Sequence, residues 1–319
     1  MTIKSSPCSY IAQTQYAKMR DECAIVSSSD SKHSPYLANA IASLKINFPD
    51  HPRIIIYDIG LTKAEKHEFR SIDGVELRET PAFIPHWRLN WSWKLHTLTN
   101  NLPRYSLYLD LPNFVVMRSL APLFCSIKAS GYLLVSNGQF LREITPSDYW
   151  KFYELDSEIF KNSITFGAGI IGFDSSSNAR EAIFRALNDV ILGLNLGRSA
   201  CEANKNYKPN IIRDCTCFRA DQTLLNLAFR KEFGEKLVIR KPAPICGFGK
   251  SNDHPGQYLW YARRSVESLR YIYENTGRSK LCFLVNRCLW LLRITSRIFA
   301  KKIVFSIKPK SSSGAKNIL

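Results

Sequence analysis

The stretch Trp93–Leu120, WKLHTLTNNLPRYSLYLDLPNFVVMRSL, passes from a polar-apolar segment into an aromatic and aliphatic run that stops at an acid, Asp110. Leu107-Tyr108-Leu109 has the composition of a buried strand. An acid placed where such a strand ends projects from the edge of the sheet, and in open α/β sheets that edge is where ligands bind. Asp110 is therefore the first candidate site residue.

The flanking sequence supplies the rest of such a sheet. Ala24–Ser29 is a brief apolar run ending in serines, and Arg53–Asp58 (RIIIYD) is a β-branched run of buried-strand type. Between them, Ser34-Pro35 supplies a capping hydroxyl and a proline at the first helical position. Leu37, Ala40, Ile41 and Leu44 then form one apolar stripe, and Pro49 and Pro52 end it. Thr62-Lys-Ala-Glu65 reads as a capping box before the next helix, and Val75–Leu77 as a third short strand. Strand and helix alternate, which predicts an α/β domain with a largely parallel sheet flanked by helices.

Beyond a Pro- and Trp-rich loop at Pro81–Trp93, the pattern predicts a helix over Trp91–Asn101 and the strand ending at Asp110, with a second apolar run at Phe114–Met117. Further strands are expected at Tyr132–Val135, Ile170–Phe173 and Lys236–Ile239. Helices are expected at Asn178–Leu194, with Asn178 and Glu181 as cap and reciprocal partner, and at Asp221–Phe229.

Composition bounds the class. With 319 residues, 45% hydrophobic and 22% charged, the chain can bury a sizeable core. The net charge of +17 is unevenly held: thirteen Lys/Arg against Glu267 and Glu274 place +11 of it after residue 262. That asymmetry points to a polyanionic partner. Nine cysteines lack regular spacing and contain no CxxC, which argues against zinc and for reduced thiols in a cytosolic protein. Residues 1–22 are polar, without an apolar signal core, and are expected to be a flexible segment. No run approaches the ~20 apolar residues of a membrane span.

Six segments in order, SSSDSKHSPYLANAIASL, RIIIYDIGL, WSWKL, YLDLPNFVVMRSL, FGAGIIGFD and FRADQTLLNL, give a pattern that resembles the GT-A fold glycosyltransferases, and most closely family-8-like enzymes using nucleotide-diphosphate sugars. The resemblance covers residues 23–260 and implies a single Rossmann-like GT-A domain with a mostly parallel mixed sheet. It implies that Ser28, Asp30, His33 and Tyr36 cradle nucleobase and ribose, that Lys94 meets the phosphates, and that Gly169 lies beside the acceptor. Asp221 and Gln222 match the family's acid-amide pair near the anomeric carbon and are the catalytic candidates. The family's two-acid DxD motif implies Mn²⁺ or Mg²⁺ on Asp110, and His254 resembles the family's late His-containing metal motif; Asn113 offers a carbonyl oxygen as a further candidate ligand. Here the motif is degenerate: its second acid is replaced by Pro112, which has no side-chain ligand atom.

Breaking a sugar–phosphate bond leaves negative charge on the diphosphate, which a metal or Lys/Arg donors must stabilise. Lys94, Arg88, Arg118 and the region of Lys250 are the cations at hand. The expected function is transfer of a sugar, UDP-linked, to a glycan or lipid-linked acceptor in surface polysaccharide or lipopolysaccharide synthesis. The rival readings are a catalytically silent nucleotide- or glycan-binding protein, and a nucleic-acid-binding protein using the basic end of the chain. Residues 261–307 form a basic, partly amphipathic helical region with no acid between Leu281 and Ile307, and residues 308–319 read as a disordered tail. Trp290 and Phe299 within that segment suit lipid better than nucleic acid, so the expected place is the cytoplasmic face of a membrane, bound peripherally to its anionic surface.

Overall fold

The computed structural model describes residues 7–196, 215, 217–246 and 256–261. The chain divides into two compact units, Met1–Arg270 and Tyr271–Leu319, the second wholly outside the described residues. The basic region from 262 onward, the tail at 308–319 and most of residues 198–218, whose sequence reads as a loop, also lie outside them.

The strands are β1 (Cys23–Ser29), β2 (Arg53–Asp58), β3 (Val75–Glu79), β4 (Tyr105–Leu109), β5 (Phe114–Val116), β6 (Tyr132–Phe140), β7 (Ile164–Asp174) and β8 (Leu259–Tyr261). The helices are α1 (Pro7–Ala17), α2 (Ser34–Asn47), α3 (Lys63–Arg70), α4 (Ser92–Thr99), α5 (Ala121–Ser130), α6 (Leu141–Ile144), α7 (Ser147–Tyr153), α8 (Glu158–Lys161), α9 (Asn178–Ile191) and α10 (Ala220–Phe233). Six strands form one sheet in the order β3-β2-β1-β4-β7-β6, and β5 pairs with β8 in a small second sheet. β1 runs parallel to both β2 and β4, and β2 to β3, whereas β7 is antiparallel to β4 and to β6. The mostly parallel, helix-flanked sheet expected from the sequence is present.

Chain order makes β1 and β4 the pair at which the sheet changes direction of growth: from β1 it proceeds outward through β2 and β3, then returns to add β4 on the other side. In open α/β sheets ligands bind outside the carboxyl ends of the strands at such a switch point. The carboxyl end of β1 leads into Asp30, and that of β4 into Asp110.

Side-chain alternation assigns the two faces. Ala24 and Val26 of β1, Ile55 and Tyr57 of β2, and Tyr108 of β4 share one core with Leu95 and Leu98 of α4, Ile183 of α9 and Leu224 and Leu225 of α10. The alternate residues, Ile25, Ile54, Ile56 and Leu107, are equally buried on the opposite face. Each such fully buried aliphatic side chain stabilises by about 1.5–3 kcal/mol relative to exposure. The predicted stripe of Leu37, Ala40, Ile41 and Leu44 on α2 is buried throughout.

Several expectations need correction. The polar start of the chain is not simply flexible: α1 forms within it, and Tyr16 packs its ring 5.2 Å from that of Phe48 and 5.7 Å from that of Phe124. Partners so far along the chain left no local signal. At α2 the cap is His33 rather than Ser34, whose hydroxyl turns to the Ser31 carbonyl and to Glu65 instead. At α9 the cap is Ser177, one residue earlier than expected, accepting from Ala179 N at 3.3 Å. Lys236–Ile239 is not a strand; only Arg240 reaches the sheet, exchanging backbone bonds of 2.8 Å with Leu134 and Ser136 of β6. Pro242 and Pro244 close by have no N–H with which to extend that pairing.

Gly172 of β7 holds the sheet close to α5. A Cβ there would lie 2.5 Å from Cδ1 of Ile127 and 2.9 Å from Cβ of Leu133. Gly172→Ala is expected to lower the unfolding free energy by about 1–3 kcal/mol through overpacking, read as a reduced urea midpoint with unchanged slope.

Candidate functional site

Period-2 alternation carries the positions of Ser28 and Asp110 onto the face occupied by α4 and α10, because each continues the register of Val26 and Tyr108 respectively. Both helices contribute to what those residues meet. Lys94, in the first turn of α4, is 3% exposed. Its ammonium lies 2.8 Å from Oδ2 of Asp221, 3.2 Å from the Ala168 carbonyl and 3.3 Å from Oδ2 of Asp110. Asp221 sits in the first turn of α10, where a carboxylate is favoured by the helix dipole.

A chain of hydrogen bonds fixes the other side of Asp110. Trp93 donates its indole N–H to Ser28 Oγ at 3.1 Å. Ser28 Oγ is 3.3 Å from the Tyr108 hydroxyl, which donates to Asp110 Oδ1 at 2.7 Å. Because the phenol proton is spent on Asp110, the serine is the donor to Tyr108. The backbone is pinned too: Asp110 N donates to the Gly169 carbonyl at 2.9 Å, and Leu111 N to Ser27 Oγ at 3.2 Å. A Cβ at Gly169 would stand 3.2 Å from Asp110 Oδ2, so a side chain there would crowd the carboxylate.

Electrostatics follow from burial. Desolvation alone would lower the Lys94 pKa, but the carboxylates of Asp110 and Asp221 hold it above the ordinary lysine value. Burial raises the Asp221 pKa above the usual carboxylate range, against the opposing pull of Lys94. Burial and the neighbouring Asp110 push the Tyr108 phenol well up, so it stays a hydrogen-bond donor. Gln222 is also buried, and its side-chain nitrogen has no partner among the described residues.

A second cluster stands where β1 meets α2. Asp30 Oδ1 accepts from His33 N at 3.0 Å and lies 2.6 Å from its ring Nδ1; both side chains are about one-third exposed. Tyr36 is half-buried in the first turn of α2. Glu65 ties this loop to α3: it accepts from Ser31 Oγ at 2.6 Å, from Ser34 Oγ, and from Thr62 N at 2.8 Å. Although burial opposes it, those donors hold the Glu65 pKa down at about 2.

Of the sequence candidates, Ser28, Lys94, Asp110, Gly169 and Asp221 are thus brought together, with Gln222 adjacent; Asp30, His33 and Tyr36 form a neighbouring group. Tyr108, Trp93, the Ala168 carbonyl and Glu65 were not identified as site residues. Tyr108 carried a usable signal, since it stands two residues before Asp110 on the same strand face. Glu65 was legible only as a cap.

Among the described residues the metal candidates do not assemble a site. Asp110 gives one oxygen to Tyr108 and the other to Lys94. Pro112 is buried in the turn Leu111–Asn113 and offers no side-chain ligand, while Asn113 is half-buried there. His254 lies outside the described residues. Among the described residues no group of three or more His, Cys, Asp or Glu is placed to hold a metal ion. The donor set among the described residues does not fit Mn²⁺ or Mg²⁺, which take six or more oxygen ligands or retain several waters.

No protein-family model matches the chain, and no curated protein does. Solved structures do. The galactosyltransferase LgtC, solved with donor and acceptor sugar analogues, is 17% identical with a TM-score of 0.39, over 65% of this chain and 70% of that one. The bifunctional glycosyltransferase WbbM is 14% identical with a TM-score of 0.42, over 66% of this chain and 38% of that one. The glycosyltransferase GlyE of Streptococcus pneumoniae is 16% identical with a TM-score of 0.39, over 66% of this chain and 43% of that one. The chain therefore spans less than half the length of WbbM and of GlyE.

Removing the ammonium leaves two acids without their cation, so Lys94→Met is expected to destabilise by about 3–5 kcal/mol at neutral pH. The folded-state pKa of Asp221 already exceeds its unfolded value, so its ionisation lowers stability as pH rises between the two. Loss of Lys94 widens that window, and the defect should shrink on acidification in urea titrations across pH. Glu65 behaves oppositely: its pKa is depressed, so its stabilisation is complete above 4.5 and lost as pH falls toward about 2. Glu65→Ala is expected to lower neutral-pH stability by about 1–2 kcal/mol, through the lost cap and loop bonds, and to flatten the acid limb of the profile.

Proposed function

We propose that this chain is a GT-A-fold glycosyltransferase that moves a hexose from a nucleotide-diphosphate donor, UDP-linked, to a glycan or lipid-linked acceptor. The observation that carries the reading is the convergence of Lys94, Asp110 and Asp221 at the carboxyl end of β4, beside the end of β1, at the switch point of the sheet. A nucleotide-sugar needs an adjacent polar cradle for base and ribose, and Asp30, His33 and Tyr36 stand one strand away. It also needs an acid and an amide near the anomeric carbon. Asp221 and Gln222, buried in the first turn of α10, supply that chemistry, and the side-chain nitrogen of Gln222 is a buried donor with no partner among the described residues.

In this reading Asp221 and Gln222 stabilise positive character at the anomeric carbon while cationic side chains offset the charge left on the diphosphate. The excess of basic residues after 262 supports an acceptor at an anionic membrane surface, reached peripherally from the cytoplasmic face, as surface polysaccharide or lipopolysaccharide synthesis would require. No helix among the described residues is long and apolar enough to cross a membrane. The substitution of Pro112 for an acid also favours a second reading, a silent binder of nucleotide or glycan.

Hydrolysis and transfer assays over a panel of nucleotide-sugars separate these readings. Release of sugar by the wild type, reduced about 10²-fold or more by Asp221→Asn and by Gln222→Ala with nucleotide affinity retained, is the expected result. Nucleotide binding without sugar release from any donor would leave the silent binder.

A further inference from the structure

The ammonium of Lys94 occupies an oxygen cage: Asp221 Oδ2 at 2.8 Å, the Ala168 carbonyl at 3.2 Å and Asp110 Oδ2 at 3.3 Å. The ammonium donates hydrogen bonds to the Ala168 carbonyl and to Asp110 Oδ2, while Asp221 Oδ2 faces it as an ion-pair partner that accepts no hydrogen bond among the described residues. Two of those oxygens come from the acids to which the family resemblance gives metal and sugar chemistry. We infer that Lys94 is the built-in cation of this site, and that Asp110 does not hold a divalent metal.

Three further features agree. The remaining oxygen of Asp110 is held at 2.7 Å by Tyr108, itself fixed through Ser28 and Trp93, so the carboxylate is oriented by its own fold on both sides. Two residues on, the buried Pro112 takes the position at which a second carboxylate would complete a metal pair. Any dication on Asp110 would also stand within a few ångströms of the ammonium, in a site where water does little to screen their repulsion. A permanently protonated lysine supplies positive charge without an exchangeable ion, and at 3% exposure it is held in place by packing.

The inference deepens the reading of this cluster as a nucleotide-sugar site, yet its central claim about Asp110 can be tested apart from that reading. Mn²⁺ is titrated into the full-length protein and followed by electron paramagnetic resonance. Wild type and Asp110→Asn are expected to leave the same free-ion signal; Mn²⁺ uptake by the wild type that Asp110→Asn abolishes would overturn the inference. Lys94→Met should open the cage, acquiring Mn²⁺ binding that disappears again in the Lys94→Met/Asp110→Asn double variant. A folded Lys94→Met protein that takes up no Mn²⁺ would show that the ammonium does not hold the ion's place. If Lys94→Met fails to fold, the wild-type and Asp110→Asn comparison still decides. Calorimetry with UDP then addresses the site as a whole. The expected dissociation constant is the same, within about threefold, in EDTA and in Mn²⁺. A loss of tenfold or more in EDTA, which is about 1.4 kcal/mol, would overturn metal independence. Failure of UDP to bind in either buffer would instead remove the nucleotide-sugar reading, with the resonance result on Asp110 standing.

Discussion

A single buried ammonium joins three parts of this fold. Lys94 belongs to α4, Asp110 ends β4, and Asp221 opens α10, more than a hundred residues further along the chain. Charged groups so poorly hydrated persist only when each finds its counterpart. The placement of α4 and α10 over one face of the sheet is therefore coupled to the site: shifting either helix would strand a charge. The same requirement explains the surrounding polar network, in which Trp93, Ser28 and Tyr108 leave no loose donor next to Asp110.

The sheet prepares this arrangement before any side chain acts. β1 and β4 lie parallel and adjacent, with the sheet growing outward from β1 through β2 and from β4 through β7, so their carboxyl ends stand side by side at the switch point. The serines that close β1 are buried rather than solvated, and each has a defined partner: Ser27 receives Leu111 N, and Ser28 joins Trp93 to Tyr108. Short hydroxyls at a strand end thus act as ties between strand, turn and helix. Glu65 does the same one layer outward, joining the Asp30–Ser34 loop to α3.

Much of the framework was legible. The runs at Ala24–Ser29, Arg53–Asp58 and Tyr105–Leu109 are apolar enough to be central strands on composition alone, and the stripe on α2 sits where its spacing puts it. Errors fell where the deciding contact was distant. Nothing near Tyr16 announces Phe48 and Phe124, and Ser34 satisfies the local rule for a cap yet bonds to Glu65, thirty-one residues away. Lys236–Ile239 has strand composition but gains only one bridge to β6, because the chain turns through prolines immediately afterwards.

By itself the sequence determined the order of elements and the residue types at the strand ends, because hydrophobic period and chain breaks are local properties. It also placed Asp110 and Pro112 beyond dispute. Which groups those residues face was decided only by tertiary structure. Lys94 was read as a cation for phosphate; folded, it is enclosed by two carboxylates and a carbonyl. The reason is physical. A buried charge takes whatever counter-charge the packed fold brings within reach, and that depends on how α4 and α10 settle on the sheet rather than on spacing along the chain.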